Sequence, residues 1–372
     1  MTSIPLIEIS GPPTERGRAY GEAARDEIAR SIAYYREAFA VSSGMDWPRV
    51  LATAHRWRPV VEAVAPHLVE EMDGIAAGAG VPPDEVLALN ARGEIVRAGD
   101  SAFAEMEGCS SFALLPEATG DGHVYCGQNW DWRAGTEATT VLLRIVQPPK
   151  PTVIMQVEAG QIGRQGVNST GLALNANGLD GRFGTSPGVP QPVLRRLILD
   201  SATLRDALDV PFTVHQHIAT NLLFTHGNGV AIDLETTPLG HTWGYPADGV
   251  LVHTNHYQYG LPEALGVGHR PSSIDSLYRL PLLDRGLRRA RGAADSEAVR
   301  ELIAETLRDH VGFPMSVCSH PDPGAPALRR SKTTMSSIVD LTTGEYRVAS
   351  GNPCESHYEP LPWSVYDEQA SR

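Results

Sequence analysis

Lysine is almost absent from this 372-residue chain. Lys150 and Lys332 are the only two, so lysine-centred chemistry is confined to those positions. Positive charge is scarce altogether, with 31 basic against 44 acidic side chains and a formal charge of -13. That balance argues against a nucleic-acid partner, because binding phosphates needs a basic face. Cysteine is also rare: Cys109, Cys126, Cys318 and Cys354 are too few and too scattered for a disulfide scaffold. A reducing, cytoplasmic compartment is therefore the expectation. No apolar run approaches the ~20 residues that span a bilayer, and residues 1–11 lack the basic and apolar regions of a secretory signal. The sequence thus gives no reason to expect a membrane partner.

Several catalytic and cofactor motifs are missing as well. There is no H-E-x-x-H, no cysteine pair at zinc spacing and no phosphate-cradling G-x-x-x-x-G-K-[ST], so neither cofactor nor metal is expected. His215 with His217, and His253 with His256, read as solvated or hydrogen-bonded pairs. Gly184-Thr185-Ser186-Pro187-Gly188 matches the G-x-S-x-G serine elbow only formally. The residue after that serine must donate its backbone N–H to an oxyanion, and proline has none.

What is present is ordinary globular material, 42% apolar and 20% charged. The length suits two or three domains, or one large layered unit that needs no covalent staples. The first hundred residues carry helical periodicity over 14–40, 46–63, 66–77 and 84–90, with Asp84 a candidate N-cap. After Gly108 the texture turns to short strands punctuated by glycine and asparagine, over 111–115, 124–129, 139–146, 152–157, 172–175, 221–225, 230–235, 336–341 and 345–349. Helical stretches over 193–208, 272–291 and 296–310 are inserted between them. Hairpins mixed with helices predict a layered α+β fold in place of a doubly wound parallel sheet.

The sharpest cluster of chemistry starts at this change of texture, in Gly108-Cys109-Ser110-Ser111. Alone it reads as a buried structural cysteine at a strand start. Three further strand ends add to it: Gln128-Asn129-Trp130-Asp131, Leu174-Asn175-Ala176-Asn177 and His253-Thr254-Asn255-His256. Amide side chains there suit an oxyanion hole, since they donate hydrogen bonds without carrying charge. Asp131, between two tryptophans, needs a polar partner or takes a shifted pKa.

These strings, with Glu15-Arg16-Gly17, Gly21, Glu70-Glu71-Met72-Asp73-Gly74-Ile75-Ala76 and Leu89-Asn90-Ala91-Arg92, resemble the acyl-coenzyme A:isopenicillin N acyltransferase family of N-terminal nucleophile hydrolases. The resemblance covers most of the chain and keeps the family's motif order. It implies a four-layer αββα sandwich and a precursor that cuts itself between Gly108 and Cys109. Residues 1–108 and 109–372 would then be two fragments that stay associated in one folded unit. Glycine before the cut suits the strained backbone that such an attack demands. The α-amino group freed on Cys109 has a pKa near 8 and can act as base for its own thiol.

By the same resemblance Asp131 orients that amine, and Asn255 donates to the oxyanion. Asn177 or Asn175 supplies further support, and Arg279 holds a substrate carboxylate unless it is simply an exposed helix arginine. The implied substrate is a small-molecule amide or acyl thioester. Hydrolysis and acyl transfer share one acyl-enzyme and differ only in whether water or an amine resolves it. A papain-like pairing of Cys109 with a histidine, and an inactive binding protein of the same fold, are the other readings.

Overall fold

Strands that are apolar on both faces must be covered on both sides, and this requirement sets the layers of the molecule. The computed structural model describes residues 4–98, 108–183, 186–266, 268–271 and 273–368. A first strand, β1 (Leu6–Ser10), leads into α1 (Pro13–Ala23), with proline at the helix entry where its missing N–H costs nothing. Ala24 separates α1 from α2 (Arg25–Ser43), so the helix expected over 14–40 is in fact two. Asp46 caps α3 (Trp47–Ala54) by accepting from the Arg49 N–H at 3.0 Å. Then come α4 (Arg58–Val64), α5 (Pro66–Ala79), α6 (Pro83–Asn90) and α7 (Arg92–Ala98). Pro82, not Asp84, stands at the cap of α6; Asp84 lies in the first turn, where a carboxylate still complements the helix dipole.

The strand-rich part runs β2 (Gly108–Leu114), β3 (Tyr125–Arg133), β4 (Thr140–Val146), β5 (Val153–Glu158), β6 (Gly166–Asn168) and β7 (Leu172–Gly178). The stretch 193–208 divides into α8 (Gln191–Leu199) and α9 (Leu204–Thr213), followed by β8 (Thr220–His226), β9 (Val230–Thr237), β10 (Gly240–Gly244) and β11 (Val250–His253). After α10 (Ser276–Leu287) and α11 (Ser296–Leu307) the chain closes with β12 (Ser331–Asp340), β13 (Glu345–Ser350) and β14 (Glu359–Pro360). Of residues singled out in the sequence, Gly184, Thr185 and Ser272 lie outside the described residues.

Two sheets result, in the orders β1-β4-β5-β6-β7-β8-β9-β10 and β11-β2-β3-β12-β13-β14. Pairing is antiparallel except between β1 and β4, which run parallel with Ile7 beside Leu143. The period of two sorts the core into three slabs. Leu142, Ile154, Ala173 and Leu223 of the first sheet face Cys109, Ala113, Cys126, Trp130 and Met335 of the second. Their neighbours Val141, Leu143, Met155, Leu174 and Phe224 pack outward on α1–α8. On the far side, Phe112, Leu114, Tyr125 and Ile338 meet Leu283 and Leu287 of α10 and Val299 and Ile303 of α11. The fold is the four-layer αββα sandwich. Among the described residues no helix is long and apolar enough to cross a membrane.

Candidate active site

Cys109 is the second residue of β2 and is wholly buried between the sheets. β2 and β3 pair so that Gly108 lies opposite Asp131 and Cys109 opposite Trp130. On the other side of β2, β11 places His253 opposite Ser111, and the chain leaves the sheet through Thr254 and Asn255. Three strand ends that are distant in sequence therefore converge because β2 sits between β11 and β3.

The Oδ1 of Asn255 accepts from the Cys109 backbone N–H at 2.9 Å and from Arg279 Nη2 at 2.8 Å. Two donors on Oδ1 fix the amide orientation, which turns Nδ2 toward the carbonyl of Gly178 at 3.2 Å. Ser276, the first residue of α10, anchors this turn: its Oγ accepts from the Asn255 backbone N–H at 2.7 Å and lies 2.7 Å from His256 Nδ1.

Asp131 is buried, with Oδ1 accepting from Thr333 Oγ1 at 2.6 Å. A Cβ built on Gly108 would stand 3.0 Å from Asp131 Cβ and 3.1 Å from its Oδ2, so the Asp131 side chain lies close against Gly108. Glycine at 108 is what allows that approach. Burial pushes the Asp131 carboxyl up to about 6, against the opposing pull of the Arg279 charge and the Thr333 hydrogen bond.

Arg279 is not an exposed helix arginine. It is buried, with Nε on Asp275 at 2.7 Å and Nη1 on the Cys109 carbonyl at 2.8 Å and Ser110 Oγ at 3.0 Å. Its planar fork suits holding several acceptors at once. Asn177 bridges the sheets, accepting from Ser111 Oγ at 2.6 Å and donating to the His253 carbonyl at 3.3 Å. Asn175 faces Gln128 instead, at 3.2 Å. The sequence brings both asparagines to the region, but their hydrogen bonds go to the sheets around the cysteine. The imidazoles are engaged elsewhere, His253 with Glu235 at 3.1 Å and His256 with Ser276.

Thr333 was not singled out by sequence, and no motif marks it; Asp275 and Ser276 fall in the segment 272–279, which resembles a family segment with a serine and an arginine near the site. A cleft beside Gly178 was equally invisible. Its walls include Phe39, Val96 and Ile218 together with Arg92, Arg97, Arg133, Arg164, Arg195 and Glu94, and Arg92 is held by Glu158 at 2.5 Å. Arg164 lies 3.8 Å over the ring of Trp130, the cross-strand partner of Cys109. These arginines come from α7, β3, α8 and the loop before β6, so only folding gathers them.

The chain is 26% identical over 358 residues, 93% of its own length and 92% of the relative's, to the 40 kDa form of acyl-coenzyme A:6-aminopenicillanic-acid-acyltransferase of Emericella nidulans. Among solved structures it is similar to penicillin V acylase from Agrobacterium tumefaciens, at 16% identity and TM-score 0.42, covering 65% of this chain and 83% of that one. It is also similar to a mutant conjugated bile acid hydrolase from Clostridium perfringens, at 11% identity and TM-score 0.43, covering 69% and 97%. The family described as acyl-coenzyme A:6-aminopenicillanic acid acyl-transferase matches residues 118–354, which begins nine residues after Cys109. That match spans well over half of the chain, and the protein belongs to this family.

Proposed function

We propose that the protein is a self-processing cysteine amidohydrolase or acyltransferase that works through an acyl-enzyme on Cys109. The observation that carries this reading is the convergence of Asp131, Asn255 and Arg279 around Gly108 and Cys109, with Asn255 on the Cys109 N–H and Arg279 on the Cys109 carbonyl. In self-cleavage the ionised Asp131 takes the proton of the Cys109 thiol, the thiolate attacks the Gly108 carbonyl carbon, and Asp131 returns the proton to the departing nitrogen. The Gly108–Cys109 C–N bond breaks, the nitrogen takes up a proton, and a thioester links Gly108 to Sγ. Water then releases the Gly108 carboxylate and restores the thiol.

The nitrogen that Asn255 Oδ1 holds in the intact chain becomes the free α-amine, positioned beside Asp131 to take the proton of its own thiol. In turnover the thiolate attacks a substrate acyl carbon, the N–H of Asn255 Nδ2 stabilises the oxyanion, and the departing group takes up the proton. Water or an amine resolves the acyl-enzyme. Hydrolysis is the favoured outcome, since water is always present. Arg279 acts as a positioning residue, holding the Asn255 amide and the Cys109 carbonyl.

The test is an intact-mass measurement with an amide panel. Self-cleavage at this bond gives fragments of 108 and 264 residues from 372, and Cys109→Ala leaves the chain whole and inactive. Turnover by a single uncut chain would sink the N-terminal nucleophile mechanism. No turnover by the cut protein, on amides with or without a carboxylate or with an acyl thioester and an amine acceptor, would favour the binding-protein reading.

A further inference from the structure

Far from the cysteine nucleophile in sequence, four side chains with metal-binding chemistry meet between the chain that follows α11 and the chain that follows β13. They are His310, Cys318, His320 and Cys354, and their ligand atoms all lie within 4.8 Å of one another. Both imidazoles turn Nε2 inward, 3.1 Å apart. The two sulfurs are 3.5 Å apart, and His320 Nε2 lies 3.7 Å from Cys318 Sγ and 3.4 Å from Cys354 Sγ.

These separations can be compared with a tetrahedron. Zinc bonds of about 2.3 Å to sulfur and about 2.05 Å to nitrogen require edges of about 3.8 Å for S–S, about 3.6 Å for S–N and about 3.3 Å for N–N. The N–N, S–S and two His320–sulfur separations match those edges to within about 0.3 Å, and the two from His310 to the sulfurs lie within 4.8 Å, so a small inward shift of His310 completes the tetrahedron. Hydrogen bonds alone would string such groups into a line or ring; mutual proximity of all four atoms is the arrangement of ligands around one centre. The surroundings fit as well. Asn352 Nδ2 lies 3.4 Å from Cys318 Sγ, placed to donate to a thiolate, and Glu355 Oε1 lies 3.9 Å from the outer nitrogen of His320.

We infer that His310, Cys318, His320 and Cys354 form a structural Cys2His2 zinc site. Binding exchanges the two thiol protons for the ion and leaves no open position, so the site is structural and not catalytic. It ties the chain that follows α11 to the chain that follows β13 of the second sheet. It also fixes Ser319, which lies between two of the ligands: the Ser319 carbonyl accepts from the Thr333 N–H at 2.9 Å and its N–H donates to Thr333 Oγ1 at 3.0 Å. Thr333 Oγ1, acting as acceptor there, must direct its own proton to Asp131.

The experiment uses the full-length protein made in zinc-supplemented medium, gel-filtered, and analysed for metal by plasma mass spectrometry. About one zinc per folded chain is expected, falling at least tenfold in Cys354→Ser and His310→Ala. Exchange into cobalt should give the absorption bands of a tetrahedral thiolate complex in the wild type and lose them in the variants. If either variant fails to fold, the wild-type zinc content and cobalt spectrum decide alone. Folded wild type without zinc or cobalt uptake, metal fully retained in both folded variants, or a Cys318–Cys354 disulfide in freshly purified protein would each overturn the site.

Discussion

Asp131 illustrates how one residue carries opposing demands. Burial holds its carboxyl up to about 6, while Thr333 and Arg279 favour the ionised form. In the proposed role of base for the Cys109 thiol it is competent only when ionised, so self-cleavage should slow as the pH falls through about 6, approaching tenfold per pH unit below it. Newly synthesised precursor followed on denaturing gels across pH checks this. Asp131→Asn should slow cleavage roughly 100-fold or more and flatten the profile, and Thr333→Val should move the inflection upward by removing a hydrogen bond to the carboxylate. Cys109, Asp131 and Asn255 were readable because uncommon side chains at apolar strand ends stand out. The burial of Arg279 was not readable: a helix arginine is normally solvated, and here the Asp275, Cys109, Ser110 and Asn255 contacts offset its desolvation.

Among the elements, α1 and α5 show what two of the sequence strings are for. A Cβ on Gly17 or Gly21 would stand 2.1 Å from the carbonyl oxygens of Glu71 and Ile75, and one on Gly74 or Gly78 would meet those of Thr14 and Arg18 at 2.3 and 2.1 Å. Glycines four apart on both helices let the backbones touch, and Arg16 pairs with Glu71 at 2.6 Å across the contact. Since backbone cannot give way as a flexible side chain can, Gly21→Val should cost about 1–3 kcal/mol or more, read as a lowered urea midpoint. Gly240→Ala, with nothing within 4 Å of the added carbon, should stay within about 0.5 kcal/mol. Apolar periodicity located most helices and strands, because it reports which face is buried. It did not locate β1, a five-residue strand whose partner β4 lies more than 130 residues away, as Leu6 opposite Leu142 illustrates. Nor did it find the break between α8 and α9.

Across the whole molecule, the portion before Gly108 is woven into the rest. β1 extends the first sheet beside β4. Glu158 of β5 accepts from Tyr35 at 2.6 Å and Arg92 at 2.5 Å, and Glu71 pairs with the buried Arg196 of α8 at 2.7 Å. All four cysteines lie at or after 109, so packing and these polar contacts, not a disulfide, would hold cleaved fragments together. The fragments should therefore co-elute on gel filtration in native buffer and separate only in denaturant; separation without denaturant would refute their association. By itself the sequence determined the α+β layering, the change of texture at Gly108 and the residue types able to do acyl chemistry, since local periodicity and side-chain chemistry are written in adjacent residues. Tertiary structure alone decided which strand ends meet, how Asn255 is turned, where the cleft arginines gather and that His310, Cys318, His320 and Cys354 share one point. Those facts depend on sheet order and on contacts between residues tens to hundreds of positions apart, which no local spacing encodes.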